Sequence, residues 1–337
     1  MIAAPKRLVV IGASAGGIEA LRTLVAALPV DFPAPVCVVL HMSPQSPGLV
    51  DEILTRVGGL KATNAANGDR LQPGRIYVAP PDFHLLVEPG RVRISKGPRE
   101  NRFRPAIDPL FRSAAQVYGP ATIGVILTGS LDDGSAGLWA IKHLGGTAIV
   151  QDPADALFPG MPANAIAHVE VDYVVPLDRI APLLVELTAP AVEPPRKLAA
   201  PDHLDVEVKI AMEENPIDAG LERIAEPSRF ACPECHGVLP QLKEGGRIRF
   251  RCHTGHAYSI GSLLAGINQG IEESLWSAIR ALEEGQLLMC RMADHLKTSH
   301  DTADADRLTA EAGEVGRQSD VIRKLVTPRS PLSLSSK

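Results

Sequence analysis

The sequence predicts a doubly wound α/β fold, a mainly parallel sheet with a β-hairpin insertion, followed by a small zinc ribbon and a helical hairpin. Three observations carry this expectation. Short β-branched runs alternate with amphipathic helical patterns from about residue 7 to 187, as in a parallel sheet covered on both faces. The pair Cys232 and Cys235 is answered by Cys252 and His256 at metal-ligand spacing. Further on, Leu275, Leu282, Met289 and Leu296 recur every seven positions, the stripe of a helix that buries one face.

In chain order, strands are expected at 7–12, 36–41, 75–79, 122–128, 147–151 and 171–175, each a short run rich in Val, Ile or Leu. Ile18, Leu21, Leu24, Val25 and Leu28 share one helical face, as do Ile107, Leu110, Phe111, Ala114 and Val117. Residues 84–88 and 91–94 flank Pro89-Gly90 and read as an antiparallel hairpin. These elements make one domain over 1–187. Residues 188–228 read as a linker and a short helical segment, because the four prolines of 188–202 impose extended, semi-rigid chain. The metal-type module occupies 229–258. Two amphipathic helices fill 259–326, the second carrying Leu308, Val315 and Ile322, with the join near 298–306 and pairing within the chain favoured over a partner helix. The Ser- and Pro-rich tail at 327–337 is expected to be disordered.

Composition narrows the function classes. At 337 residues with 45% hydrophobic content, the chain supports one large core and an appendage. A net charge of −5 provides no overall basic field, so no nucleic-acid partner is expected. No apolar run approaches the roughly 20 residues of a membrane helix and no secretory signal pattern is present, so no membrane insertion is expected and the chain reads as cytoplasmic. Metal-type spacing for three of the five cysteines argues against a disulfide framework.

The most pointed motif is Gly12-Ala13-Ser14-Ala15-Gly16-Gly17, entered from Leu8-Val9-Val10-Ile11. A strand that breaks into a glycine-flanked serine and then a helix matches the turn that lifts a nucleophilic hydroxyl above a sheet edge. A dinucleotide-binding turn competes, since glycines there also admit a pyrophosphate. That reading wants an acid after the second strand, where His41-Met42 stand instead. No Tyr has a Lys four residues later, so a dehydrogenase pair is also missing.

An activated serine needs a base within reach and an acid that orients the base. In an open α/β sheet such groups meet at the carboxyl ends of strands. His41 ends the second strand, and Asp132-Asp133 follow the 123–129 run, with Gly134 opening another helix. The bland alternatives are a solvated turn histidine and a helix start whose carboxylates accept from free N–H groups. Placement at equivalent strand ends favours chemistry. His84 is assigned to the hairpin, and His143 and His168 to helix surfaces.

Together these motifs resemble the catalytic domain of CheB-type protein-glutamate methylesterases, which demethylate bacterial chemoreceptors. The likeness covers about residues 5–187 and includes Asn101-Arg102-Phe103-Arg104-Pro105, Asp133-Gly134 and Gly160-Met161-Pro162. It implies the order nucleophile, histidine, acid in Ser14, His41 and Asp133; Asp133 is preferred over Asp132 because the family's acid directly precedes the glycine. The implied reaction is hydrolysis of a glutamate γ-methyl ester to carboxylate and methanol, with glutamine deamidation added in some relatives. Ala15 and Gly16 backbone N–H groups become the expected oxyanion donors, and no cofactor is expected for catalysis. The implied partners are methylated chemoreceptor cytoplasmic helices and other signalling-array proteins.

Arg102 and Arg104 read either as ordinary surface charges or as groups that steer an acidic receptor helix toward the cleft. Ser130 stands where the family often has a methionine three residues before its acid, which bears on substrate positioning. Well-known members carry an N-terminal receiver domain; none is expected ahead of a first strand at residue 7, so either the enzyme is constitutively open or control comes from elsewhere, such as the C-terminal half. A catalytically inactive scaffold that recruits partners through its C-terminal half is the alternative reading.

Cys232 and Cys235, sixteen intervening residues, then Cys252 and His256 give C-x2-C and C-x3-H. A two-residue gap lets both thiolates meet one ion across a tight turn. His256 is preferred over His253, and over His236, because adjacent residues seldom both point at one ion. Four protein ligands leave no position for water, so a structural zinc is expected; a catalytic zinc hydrolase is the competing reading. The basic strand Arg247-Ile248-Arg249-Phe250-Arg251 is expected to present a solvated face rather than a nucleic-acid contact.

Overall fold

A computed structural model describes residues 6–189, 200–242, 248–298 and 302–327. In chain order, the first part runs β1 (Leu8–Ala13), α1 (Gly17–Ala26), β2 (Val36–Leu40), α2 (Val50–Val57), β3 (Lys61–Asn64), β4 (Arg75–Val78), β5 (His84–Glu88), β6 (Arg91–Ser95), α3 (Ile107–Tyr118), β7 (Thr122–Ile126), α4 (Ser135–His143), β8 (Thr147–Gln151), α5 (Gly160–His168), β9 (Tyr173–Val175) and α6 (Leu177–Thr188). The main sheet has the order β3-β4-β2-β1-β7-β8-β9, and every pair in it is parallel.

Central strand β1 is buried at every residue, as a strand covered on both faces must be. Its side chains alternate between two cores. Val10 packs with Val39, Ile107 and Phe111 on one face, and Val9 and Ile11 pack with Leu21, Val38 and Leu184 on the other. Strand β3, which sequence periodicity does not announce, lies at the sheet edge and buries one residue, Ala62. An edge strand with a single apolar contact leaves almost no hydrophobic signal. The β5–β6 hairpin forms across Pro89-Gly90, outside the main sheet, with Gly90 at φ 73°.

Within 188–228, where a linker and a short helical segment are expected, the described residues are mainly helical. Residues 190–199 lie outside the described residues, but α7 (Asp202–Ala211), α8 (Pro216–Ala219), α9 (Leu221–Ile224) and β10 (Ala225–Glu226) follow. Helix α7 is buried on two faces: Leu204 and Val208 join the core of Val10, while Val206 and Ile210 pack with Leu242.

One expectation is corrected: the basic strand is not solvated. β10, β11 (Gln241–Leu242), β12 (Arg249–Arg251) and β13 (Ala257–Ser259) form a four-stranded antiparallel sheet. Arg249 is 4% exposed and Arg251 fully buried. Arg251 Nη2 donates to Glu100 Oε1 at 2.8 Å and to Glu207 Oε1 at 2.9 Å. Arg249 Nη1 donates to Glu207 Oε2 at 2.9 Å, and Arg112 of α3 pairs with Glu100. The acids that neutralise these arginines come from distant segments, which strand alternation cannot reveal. Arg247 lies outside the described residues.

Residues 1–262 therefore form one unit that includes the metal-type sheet, and 263–337 form a second. Helix α10 (Ile260–Thr298) starts in the first unit; with α11 (Thr302–Val326) it supplies the second. Within that second unit the two helices pair: Glu283 accepts from Ser319 Oγ at 3.1 Å, and Arg323 lies 5.6 Å over the Trp276 ring. Residues 299–301, in the expected join, and the tail from 328 lie outside the described residues. Among the described residues, no helix is long and apolar enough to cross a membrane.

Candidate active site and metal cluster

Strand order explains how Ser14, His41 and Asp133 meet. β2, β1 and β7 are neighbours in the sheet, and their carboxyl ends are tied together, since Ser14 N donates to Thr128 O at 3.0 Å and His41 N to Ala13 O at 3.1 Å. Groups 27 and 92 residues apart thereby converge. Ser14 Oγ lies 3.1 Å from His41 Nδ1, and His41 Nε2 lies 2.7 Å from Asp133 Oδ2. The His41 ring stacks on Phe103 with centroids 3.7 Å apart and planes 7° from parallel, which fixes its tilt.

The turn after β1 is made by Gly16, at φ 73°, rather than by strain at Ser14. Gly17 N donates to Ser14 O at 2.8 Å as α1 begins. The Ala15 and Gly16 N–H groups precede that bond, at the positive end of the helix. Gly129 is required for a different reason. A Cβ there would lie 2.8 Å from Ser14 Cβ and 2.2 Å from Met161 Sδ, so a side chain would displace Ser14.

Asp133 sits at the N-terminus of α3. Its Oδ2 accepts from Ile107 N at 2.7 Å as well as from His41, and its Oδ1 accepts from Asn101 Nδ2 at 2.8 Å, Gly134 N at 3.0 Å and Asp108 N at 3.3 Å. Burial alone would raise its pKa; the His41 hydrogen bond and charge, with the Ile107 and Asn101 donors, bring it down to about 2. An ionised carboxylate keeps the proton on His41 Nε2, which leaves Nδ1 to accept from the Ser14 hydroxyl. The neighbouring Asp108 behaves oppositely, because burial and the charge of Asp133 push it up to about 7. Asp132 stands outside the triad and accepts from Ser259 Oγ at 2.7 Å.

A groove of about 460 Å³ opens over Ser14 and His41, lined also by Met42, Arg99, Arg102 and Phe103. Arg104 lines it too, yet its Nη2 donates to Asp82 Oδ1 at 2.7 Å and its Nη1 to Gly97 O at 3.0 Å. Arg104 thus lines the groove while paired with Asp82. Ser130 is exposed and is not among the groove's lining residues. Sequence reasoning missed Asn101 and Phe103 as site groups, although both lie inside a motif it singled out.

Cys232, Cys235, Cys252 and His256 place their ligand atoms within 4.8 Å of one another. Cys235 and Cys252 Sγ are 3.6 Å apart, and His256 Nδ1 lies 3.7 Å from Cys232 Sγ and 3.6 Å from Cys252 Sγ. Tetrahedral zinc with Zn–S near 2.3 Å and Zn–N near 2.0 Å requires edges of about 3.5–3.8 Å, so this donor set fits that ion. Glu234 Oε2 lies 3.4 Å from His256 Nε2, the outer carboxylate that orients a ligating imidazole.

Comparison with known proteins adds a family. The CheB methylesterase family profile matches residues 9–184, just over half of the chain. A protein of Leptospira interrogans, provisionally named protein-glutamate methylesterase/protein-glutamine glutaminase, is 44% identical over 180 residues, covering 53% of this chain and 93% of the relative. Protein-glutamate methylesterase/protein-glutamine glutaminase 2 of Anaeromyxobacter dehalogenans is 42% identical over 186 residues, covering 55% and 54%. The crystal structure of the Thermotoga maritima CheB methylesterase catalytic domain superposes with TM-score 0.52 at 37% identity, covering 55% of this chain and 100% of that one.

Proposed function

The chain belongs to the CheB methylesterase family, and on that premise we propose that Ser14, His41 and Asp133 carry out its protein-glutamate methylesterase reaction. The single observation that supports these roles is the unbroken run of contacts from Ser14 Oγ to His41 Nδ1 at 3.1 Å and from His41 Nε2 to Asp133 Oδ2 at 2.7 Å.

Ser14 Oγ attacks the γ-carbonyl of the ester while His41 Nδ1 takes its proton. The resulting imidazolium is held by ionised Asp133. Negative charge on the former carbonyl oxygen is met by the Ala15 and Gly16 N–H groups; one such donor lowers the barrier by about 3–4 kcal/mol. His41 returns the proton to the methoxide oxygen, and methanol leaves. Water, deprotonated by the same imidazole, then splits the acyl-enzyme to the carboxylate. With an amide in place of the ester the same steps release ammonia, the glutaminase reaction.

The substrates are methylated cytoplasmic helices of chemoreceptor-type proteins, met in the cytoplasm and within a chemotaxis signalling array. Arg99 and Arg102 along the groove suit a glutamate-rich helix. The Cys232, Cys235, Cys252 and His256 cluster holds a structural zinc, and the reaction itself draws on no cofactor. Methanol release from methylated receptor, measured with Ser14→Ala beside the parent protein, tests the reading. Loss of release and of covalent fluorophosphonate labelling, with the fold intact, is the expected result; turnover by Ser14→Ala rejects it.

A further inference from the structure

The metal-type sheet reaches the triad through one side chain. Asn101 is 2% exposed and holds φ 50°. Its Nδ2 donates to Asp133 Oδ1 at 2.8 Å and to Asp108 Oδ2 at 3.1 Å. Its Oδ1 accepts from Ser259 N and from Ser262 Oγ, each at 3.0 Å. A carboxamide offers two N–H donors and two acceptor lone pairs, so its full capacity is used. Carboxylates on one side and a backbone N–H on the other exclude the flipped amide.

The main chain is tied to the same strand. Asn101 N donates to Ala257 O at 2.8 Å, and Ala257 N to Arg99 O at 3.2 Å, so residues 99–101 lie along β13. Ala257 directly follows the ligand His256, and Cys252 N donates to His256 O at 2.9 Å, closing the loop that carries two of the four ligands. From the cluster to the catalytic carboxylate, the path consists of His256, β13 and Asn101.

We propose that Asn101 is a positioning residue for Asp133, set by β13, so that metal loading at Cys232, Cys235, Cys252 and His256 keeps the esterase triad assembled. The proposal rests on the esterase reading above. When the ligand loop slackens, Ser259 and Ser262 release Asn101 Oδ1, the carboxamide turns, and Asp133 loses a fixed donor to the oxygen that does not face His41. The buried Glu100, Glu207, Arg112, Arg249 and Arg251 network meanwhile holds β12 against the catalytic unit. Activity then falls through misplacement of Asp133 and not through loss of the fold.

The test uses the full chain, zinc-loaded or stripped with a strong chelator, as parent, Asn101→Ala and Ser262→Ala. Methanol release gives kcat and KM, a fluorophosphonate gives the Ser14 labelling rate, zinc content is measured directly, and circular dichroism reports the fold. Asn101→Ala is expected to lower kcat and labelling about tenfold with KM within about twofold, and Ser262→Ala about threefold. Stripping zinc from the parent lowers both about tenfold, and zinc restores them. Stripping Asn101→Ala adds no more than about twofold, because both changes act through one side chain.

Undiminished kcat in Asn101→Ala, full activity in zinc-stripped parent, or a combined loss near the product of the two effects overturns the proposal. Should Asn101→Ala not fold, Ser262→Ala takes its place in the same cycle. Labelling needs no receptor, so intact labelling without methanol release counts against the substrate class and leaves the Asn101 comparison readable. A parent protein that is never labelled overturns both.

Discussion

The Arg251 guanidinium, fully buried in β12, donates to Glu100 Oε1 at 2.8 Å, so the metal-type sheet neutralises a carboxylate lodged one residue before Asn101. Glu207 of α7 shares the same Arg251 nitrogen at 2.9 Å. Three chain segments are joined by charges that none of them could bury alone. Removing one partner leaves an uncompensated buried ion, which costs about 3–5 kcal/mol. Arg251→Met is expected to lower the urea unfolding free energy of the full chain by that amount. A change under about 1 kcal/mol would show the network to be dispensable.

Acid should loosen the same region. Arg112 and the other arginines overcome the burial that would raise Glu100 and Glu207, holding both below the ordinary glutamate value, and Asp133 lies at about 2. A carboxylate whose folded pKa is depressed contributes stability that is fully present above its unfolded pKa and is lost as pH falls through the folded one. Unfolding free energy is therefore expected to drop as pH falls below about 4.5, with net uptake of two or more protons on unfolding. Asp108 runs the other way: its folded value of about 7 makes its penalty grow as pH rises from about 4 to 7. Urea titrations between pH 8 and 3 measure both slopes, and a flat curve between pH 5 and 3 contradicts the first.

Asp133→Asn preserves shape but replaces an acceptor facing His41 Nε2. The imidazole then loses the partner that keeps its proton away from Ser14. A fall in kcat of about 10⁴-fold is expected, with the circular dichroism spectrum unchanged. A loss below about tenfold would remove Asp133 from the proposed mechanism.

Arg102 lines the groove. If its charge draws an acidic helix to the site, Arg102→Ala lowers kcat/KM for a receptor fragment severalfold at low salt, and the difference disappears near 0.5 M salt as screening shortens the field to about 4 Å. An equal loss at both ionic strengths identifies a contact role instead.

Cys252→Ser removes a ligand from the 3.6 Å pair with Cys235. Zinc binding is expected to fall at least tenfold, with earlier thermal unfolding, because a closed four-ligand site contributes directly to folding. Unaltered zinc stoichiometry would exclude Cys252 as a ligand.

Much of this protein was legible in residue order. Alternating apolar runs marked the parallel sheet because strands buried on both faces must be apolar throughout, and β1 is. Glycine at 12, 16 and 17 marked the turn at Ser14, since a residue without a Cβ adopts the left-handed backbone of Gly16 without steric cost and fits the crowding against Ile107 and Leu40 at Gly12 and Gly17. Cysteine spacing marked the cluster because chain geometry limits which near neighbours can share an ion.

What residue order could not decide is which distant charges find one another. Arg249 and Arg251 look like surface residues until Glu100, Glu207 and α3 are folded against them, and Asn101 has no distinguishing mark until Asp133, Asp108, Ser259 and Ser262 surround it. Periodicity reports which side of an element is apolar. The partner of a buried polar group is set by packing between segments that lie up to about 160 residues apart, as Asn101 and Ser262 do, and only the tertiary structure brings those segments together.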